Sequence, residues 1–171
     1  LGFEWLWCRI TEPTSRTMRP LRQLLGAVAA FLVLAPGVVG IGTMHPHEIS
    51  YFSEVVGGLK GAERLGLELT YWCDSYRDTL PFLNALPERS PSVWTEEEGV
   101  LYMYQRAGIL RSDIRVGGRV VQAGPWAADY VLIQRRPSGY TPEMQDIMRS
   151  QEPVLVVEHR GTALGYVFRM R

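Results

Sequence analysis

The residues best suited to chemistry stand close together: a run of proton- and metal-binding groups, His45-Pro46-His47-Glu48, and a glycine-rich turn, Gly57-Gly58-Leu59-Lys60-Gly61. Zinc asks for three or four convergent ligands. Pro46 fixes the backbone between the histidines, neighbouring side chains of an extended segment point to opposite sides, and the third histidine, His159, falls on a predicted strand. The expectation is an interfacial structural role with no metal site and no cofactor. The glycine turn lacks the G-x-x-x-x-G-K-[ST] spacing of a nucleotide phosphate loop, so a tight turn between closely passing helices is expected instead. Ser50 and Ser53 lack the G-x-S-x-G elbow of a nucleophilic serine. Cys73, between Trp72 and Asp74, reads as a small buried residue rather than a nucleophile. No catalytic residue is assigned.

Binding groups are more plentiful. Glu63, Glu68, Asp74 and Asp78 lie near tyrosine and tryptophan in the sequence. Carboxylates beside aromatic rings suit sugars, and equally suit the wet side of a half-buried helix. Glu96-Glu97-Glu98 reads as a solvated helix start. Tyr51, Phe52, Tyr71 and Trp72 carry rings suited to a membrane interface, and Lys60 and Arg64 can meet a phosphate. Tyr51, Lys60, Arg64, Tyr71 and Trp72 are therefore the candidate substrate-binding residues. The competing role for the rings is the domain's own core.

What positions these residues is first of all a hydrophobic segment. From Gln23 to Met44 no side chain is charged, and some twenty residues at about 1.5 Å each span a hydrocarbon layer roughly 30 Å thick. Gly26 and Ala30 have the spacing of a helix-packing face. Pro36 and the following glycines weaken the last third, where neighbouring helices would satisfy the freed carbonyls. Arg16, Arg19 and Arg22 flank the N-terminal side and His45, His47 and Glu48 the C-terminal side. The positive-inside rule then puts residues 1–20 in the cytoplasm, residues 21–44 across the cell membrane and residues 45–171 outside. Leu1–Trp7, rich in tryptophan, reads as the tail of a preceding span. The start at Leu1, without an initiator methionine, reads as the C-terminal end of something longer. The lipid bilayer and the missing upstream helices are the expected partners.

Beyond the membrane the pattern alternates. A short helix is predicted over 59–68 and a firmer one over 74–86, with Trp72, Tyr76, Leu80 and Leu83 on one stripe, a capping pair at Ser75 and Asp78, and Pro81 a possible break. Ser92–Thr95 reads as a strand, 96–107 as a helix with Leu101, Tyr104 and Ile109 on its apolar side, and 113–116 as a short strand ending in a Gly117-Gly118 turn. Tyr130–Ile133 reads as a strand covered on both faces, and Pro142 opens a helix to Ser150. Strands 154–159 and 163–169 form a hairpin around Arg160-Gly161-Thr162. The fold class is α/β: one N-terminal transmembrane helix, then a small layered domain with a mostly parallel sheet and a C-terminal β-hairpin.

Composition excludes little and adds two points. Basic and acidic residues balance at 18 each, so nothing draws the chain to nucleic acid. Seventeen of the positives are arginine and Lys60 is the sole lysine, a bias that suits phosphate recognition but also follows from codon usage. Cys8 and Cys73 fall on opposite sides of the predicted span, so they form no disulfide.

One stretch carries a resemblance. His45-Pro46-x-x-x-Ser50-Tyr51-Phe52-Ser53-Glu54-x-Val56-Gly57-Gly58-x-x-Gly61-Ala62, followed by Glu68-x-x-Tyr71-Trp72, resembles a motif of the multispanning GT-C glycosyltransferases, the relatives of the dolichyl-phosphate-mannose–protein mannosyltransferases and bacterial lipid-linked sugar transferases. Ala128–Leu132 and Gly161–Phe168 look like that family's tail. Ser53 stands where asparagine is common, and Cys73 where glycine usually follows the Tyr-Trp pair. The resemblance implies the C-terminal module of a polytopic transferase that moves a sugar from a polyprenyl-phosphate donor on the outer face. It implies a polyprenyl-phosphate sugar as a further partner and a catalytic acid in an upstream loop outside this chain. The alternative is a membrane-anchored extracytoplasmic binding or assembly domain without enzymatic activity.

Overall fold

The computed structural model of the chain describes residues 4, 5, 8 and 19–170 and divides it into two units, Leu1–His45 and Pro46–Arg171. In the first unit the uncharged run forms one helix, α1 (Arg19–Met44), of 26 residues. Its stretch Gln23–Met44 is long and apolar enough to cross a membrane. Pro36 removes one donor, yet the helix runs on unbroken to Met44. The expectations for residues 1–20 fall, apart from residues 4, 5, 8, 19 and 20, outside the described residues.

The second unit opens with two single-turn 3-10 segments, Glu48–Ser50 and Glu54–Val56. Gly57, at φ 87°, then turns the chain into α2 (Gly58–Arg64). The tight turn expected here is present: a Cβ on Gly61 would lie 1.7 Å from the Val56 carbonyl oxygen. Helix α3 (Tyr76–Asn84), strand β1 (Ser92–Trp94), helix α4 (Glu98–Arg106), strand β2 (Arg115–Val116), helix α5 (Arg119–Gln122) and strand β3 (Tyr130–Gln134) follow. Thr141 caps α6 (Pro142–Ser150) by accepting the Met144 N–H, and Pro142 takes the first helical position, where no donor is needed. The hairpin β4 (Pro153–His159) and β5 (Thr162–Arg169) closes the chain. Arg160 and Gly161 both have positive φ, the two-residue turn whose twist suits a hairpin.

The described residues form one sheet in the order β2-β1-β3-β5-β4. The α/β class and the closing hairpin are as expected, but the sheet is mixed rather than mostly parallel. Strand β1 pairs parallel with β2 and β3, whereas β5 pairs antiparallel with both β3 and β4. The physical reason is twofold: the short turn at 160–161 makes β5 run back along β4, and it is β5 rather than β4 that packs beside β3. Side chains alternate between two cores. On one face Tyr76, Leu80 and Leu83 of α3 and Leu101 of α4 pack on Val93, Leu132 and Val167. On the other, Met144 and Ile147 of α6 and Val120 and Val121 of α5 pack on Trp94, Val131, Ile133 and Phe168.

Local departures have local causes. Trp72 leaves the stripe it was assigned to and is 84% exposed, because the backbone turns left-handed at Trp72 and Cys73 before α3 begins. Ser75 makes no cap: it is itself in helical conformation, and its hydroxyl is buried over the sheet. Pro81 does not break α3. Ile109, placed on the apolar side of α4, is exposed beyond the helix end, while Leu110 turns inward.

Candidate functional site

Strand order decides where a site can form. The chain leaves β1 by α4 on one face and reaches β2, then returns by α5 on the opposite face to reach β3 on the other side of β1. The loops after β1 and β3 therefore part, and a crevice opens at the carboxyl ends of these two strands, the usual ligand position in such sheets. A cleft of about 260 Å³ lies there. Glu97 and Val100 border it on the β1 side, Gln134 and Arg136 on the β3 side, and Tyr71, Trp72 and Cys73 on a third.

Gln134 ends β3 and is 2% exposed, with its carbonyl Oε1 buried and without a hydrogen-bond partner. The Arg136 guanidinium carbon sits 5.3 Å from the Tyr71 ring centroid, a cation–π contact. Arg136 Nε lies 3.4 Å from Glu68 Oε2, an ion pair whose angles form no hydrogen bond. Glu68 Oε1 accepts the Ser138 N–H at 2.8 Å. Trp72 and Cys73, at φ 57° and 60°, hold the aromatic wall in a conformation that costs roughly 1–2 kcal/mol for each such residue. The glycine expected at position 73 from the resemblance would occupy this conformation without that cost.

In the buried layer beside Cys73, the Tyr76 hydroxyl and Thr95 Oγ1 share a hydrogen bond. Ser75 Oγ lies 3.1 Å from where a Cβ on Gly165 would stand, so the glycine makes room for it. Burial pushes the Cys73 thiol up to about 11, with the Tyr76 hydrogen bond opposing and Glu97, Glu96 and Asp74 adding to it. That thiol is neutral at physiological pH, in keeping with a buried residue and not a nucleophile. Burial also raises Glu96, against the pull of Arg136 and with a push from Glu97. Glu68 is lowered: burial works against it, but the Ser138 hydrogen bonds and the Arg136 charge outweigh burial.

Of the residues nominated from sequence, Tyr71 and Trp72 meet in this cleft. Lys60 is exposed in a separate groove of about 220 Å³, beside Glu54, Gly58 and Arg160. Arg64 is exposed at the end of α2, and Tyr51 is half-buried; both stand apart from the cleft and the groove. The cleft also takes Gln134 and Arg136, which were not nominated, and Glu97, which was read only as part of a solvated helix start. The available signal was the pattern of polar residues directly after two apolar strands of an α/β unit.

His47 has a structural role within the second unit. It is 3% exposed, with Nδ1 3.3 Å from Asp74 Oδ2 and Nε2 2.8 Å from Asp78 Oδ2. Ser50 Oγ donates to Asp74 Oδ2 at 3.3 Å, and the His159 ring stands edge-on at 5.3 Å. Both imidazole nitrogens thus tie the entry segment to the start of α3. Among the described residues no group of His, Cys, Asp and Glu is arranged to hold a metal ion. Compared with family models, curated proteins and solved structures, the chain matches none.

Proposed function

We propose that this chain is the C-terminal module of a polytopic membrane glycosyltransferase, with residues 46–171 outside the cytoplasm. In this reading the parent transfers a sugar from a polyprenyl-phosphate donor, and the module holds acceptor or head group near the membrane surface. The observation that carries it is the fate of the most specific stretch of the resemblance. That stretch closes on Tyr71-Trp72, and the pair forms a wall of the cleft at the carboxyl ends of β1 and β3. The apolar helix one residue upstream of His45 supports the attachment, and the arginines of its N-terminal flank support the orientation.

The chemistry is assigned to the parent's upstream regions, and the contribution of this module is proximity. Holding one reactant in place converts a bimolecular encounter into a local one, worth several kcal/mol of barrier when geometry is right. In the intact parent, Tyr71→Ala with Trp72→Ala should lower transfer about tenfold or more while leaving the amount of folded protein unchanged. Both side chains are exposed, so folding is spared. Undiminished transfer by that double variant would overturn the assignment. Turnover of a polyprenyl-phosphate sugar by this chain alone would do the same.

A further inference from the structure

We propose that the cleft between the carboxyl ends of β1 and β3 binds a neutral saccharide, with Trp72 and Tyr71 as its stacking platform and Gln134, Glu97 and Arg136 reading its hydroxyls. The inference deepens the reading above, on which it rests for the setting outside the cytoplasm, by naming the ligand of the same cleft. Three observations converge on it.

The first is the pairing of ring faces with planar polar groups. A pyranose presents an apolar patch of C–H groups on one face and hydroxyls around its rim. An indole or phenol ring covers the patch, and an amide, a carboxylate or a guanidinium can bridge two neighbouring hydroxyls. All these side-chain types line this one cleft.

The second is Gln134. An amide 98% buried and lacking a partner on its carbonyl is costly to keep, by the ordinary penalty for an unmatched buried acceptor. It ends β3 and lines the cleft, and a turn of its side chain toward the cleft would let a ligand hydroxyl donate to it. Trp72 adds the complementary expense, a large ring 84% exposed on left-handed backbone.

The third is charge, which selects against phosphate. Arg136 is the cation of this lining, and Glu68 already pairs with it while its guanidinium stacks on Tyr71. Glu97 adds a carboxylate to the wall, and Glu96, half-buried beside Gly139, is raised by burial with a further push from Glu97. A phosphate dianion would meet carboxylates with a cation already committed; a neutral polyol meets donors and acceptors of both kinds.

The test uses the full chain in zwitterionic lipid nanodiscs, free of sugar-based detergent, titrated with maltose, cellobiose and α-1,2-mannobiose by saturation-transfer NMR and calorimetry. At least one disaccharide should bind with Kd at or below about 1 mM, the range expected of a small open cleft. Trp72→Ala and Gln134→Met should each weaken that binding about tenfold or more; the first side chain is exposed, and the second variant keeps volume and length in the buried site. Mannose 1-phosphate should bind no more tightly than mannose. Absence of binding by all three disaccharides to folded protein would overturn the proposal. So would unchanged affinity in both variants, or tighter binding of the phosphate ester. Because binding is read without transfer, saccharide binding by a chain whose parent transfers nothing would sink the glycosyltransferase reading and leave this one standing.

Discussion

At the residue scale the same substitution should have three different outcomes, decided by what a single Cβ meets. At Gly61 a Cβ would fall 1.7 Å from the Val56 carbonyl oxygen, and backbone cannot swing aside as a side-chain end can. Gly61→Ala should cost about 3 kcal/mol or more, as overpacking against a fixed atom does. At Gly66 the added carbon meets nothing within 4 Å, but φ is 69°, so Gly66→Ala should cost about 1 kcal/mol from backbone conformation alone. Gly99 lies in the first turn of α4, in open space and without positive φ. There Gly99→Ala should stabilise by about 0.5–1 kcal/mol, because alanine loses less freedom on entering a helix. Urea unfolding of the chain in micelles, followed by circular dichroism, measures all three. Equal losses at Gly61 and Gly66 would contradict the turn geometry.

At the scale of elements, α3 is the helix that joins the site to the core. Its Tyr76, Leu80 and Leu83 are buried against the sheet, and burying each such side chain contributes about 1.5–3 kcal/mol. Its start is tied down by His47 through Asp74 and Asp78. These contacts explain why α3 runs on through Pro81, whose nitrogen cannot donate to the Arg77 carbonyl one turn back. Pro81 is exposed and belongs to neither hydrophobic core. Pro81→Ala should therefore stabilise the protein by about 2 kcal/mol, the restored hydrogen bond less the lost rigidity of proline. An unchanged midpoint in the same urea assay would mean that the helix had already relaxed around the ring. Strand β4 illustrates the opposite management of an element. It lies at the sheet edge with Pro153 at its start, exposed Glu158 along it and two register shifts against β5, features that discourage a further strand from adding.

At the scale of the whole molecule, the testable claim is which side of the membrane holds residues 46–171. A single accessible thiol answers it. Cys73 is buried, and burial pushes its thiol up to about 11, so it stays silent toward maleimides near neutral pH. Cys8 is exposed and is removed as Cys8→Ser. Ser138 is exposed, with its backbone N–H and its hydroxyl both turned to Glu68, contacts at the surface that the labelling site can lose. Ser138→Cys in that background should react with a membrane-impermeant maleimide in intact cells. Labelling that requires permeabilisation would reverse the orientation drawn from Arg16, Arg19 and Arg22.

What the sequence determined by itself was everything set by neighbours along the chain. The length and lack of charge of 23–44 suffice for a membrane-length helix. Pro142 opens α6, Arg160-Gly161 turns the hairpin, and the apolar run at 130–133 sits inside the sheet, because helical period, caps and turn conformations depend on a few adjacent residues. Tyr71 and Trp72 were legible as candidates from their ring chemistry alone, and the structure places both in the lining of one cleft. Only the tertiary structure decided that β5 lies between β3 and β4, which made the sheet mixed. It turned Trp72 outward while Tyr76 went in, and used His47 as a tie between Asp74 and Asp78. It also brought Gln134, Arg136 and Glu97 to Tyr71 across gaps of 26 to 65 residues. Strand order is chosen by which side chains on both faces can be buried at once, and a crevice exists only where two loops part. Neither is a property of any short stretch of the chain.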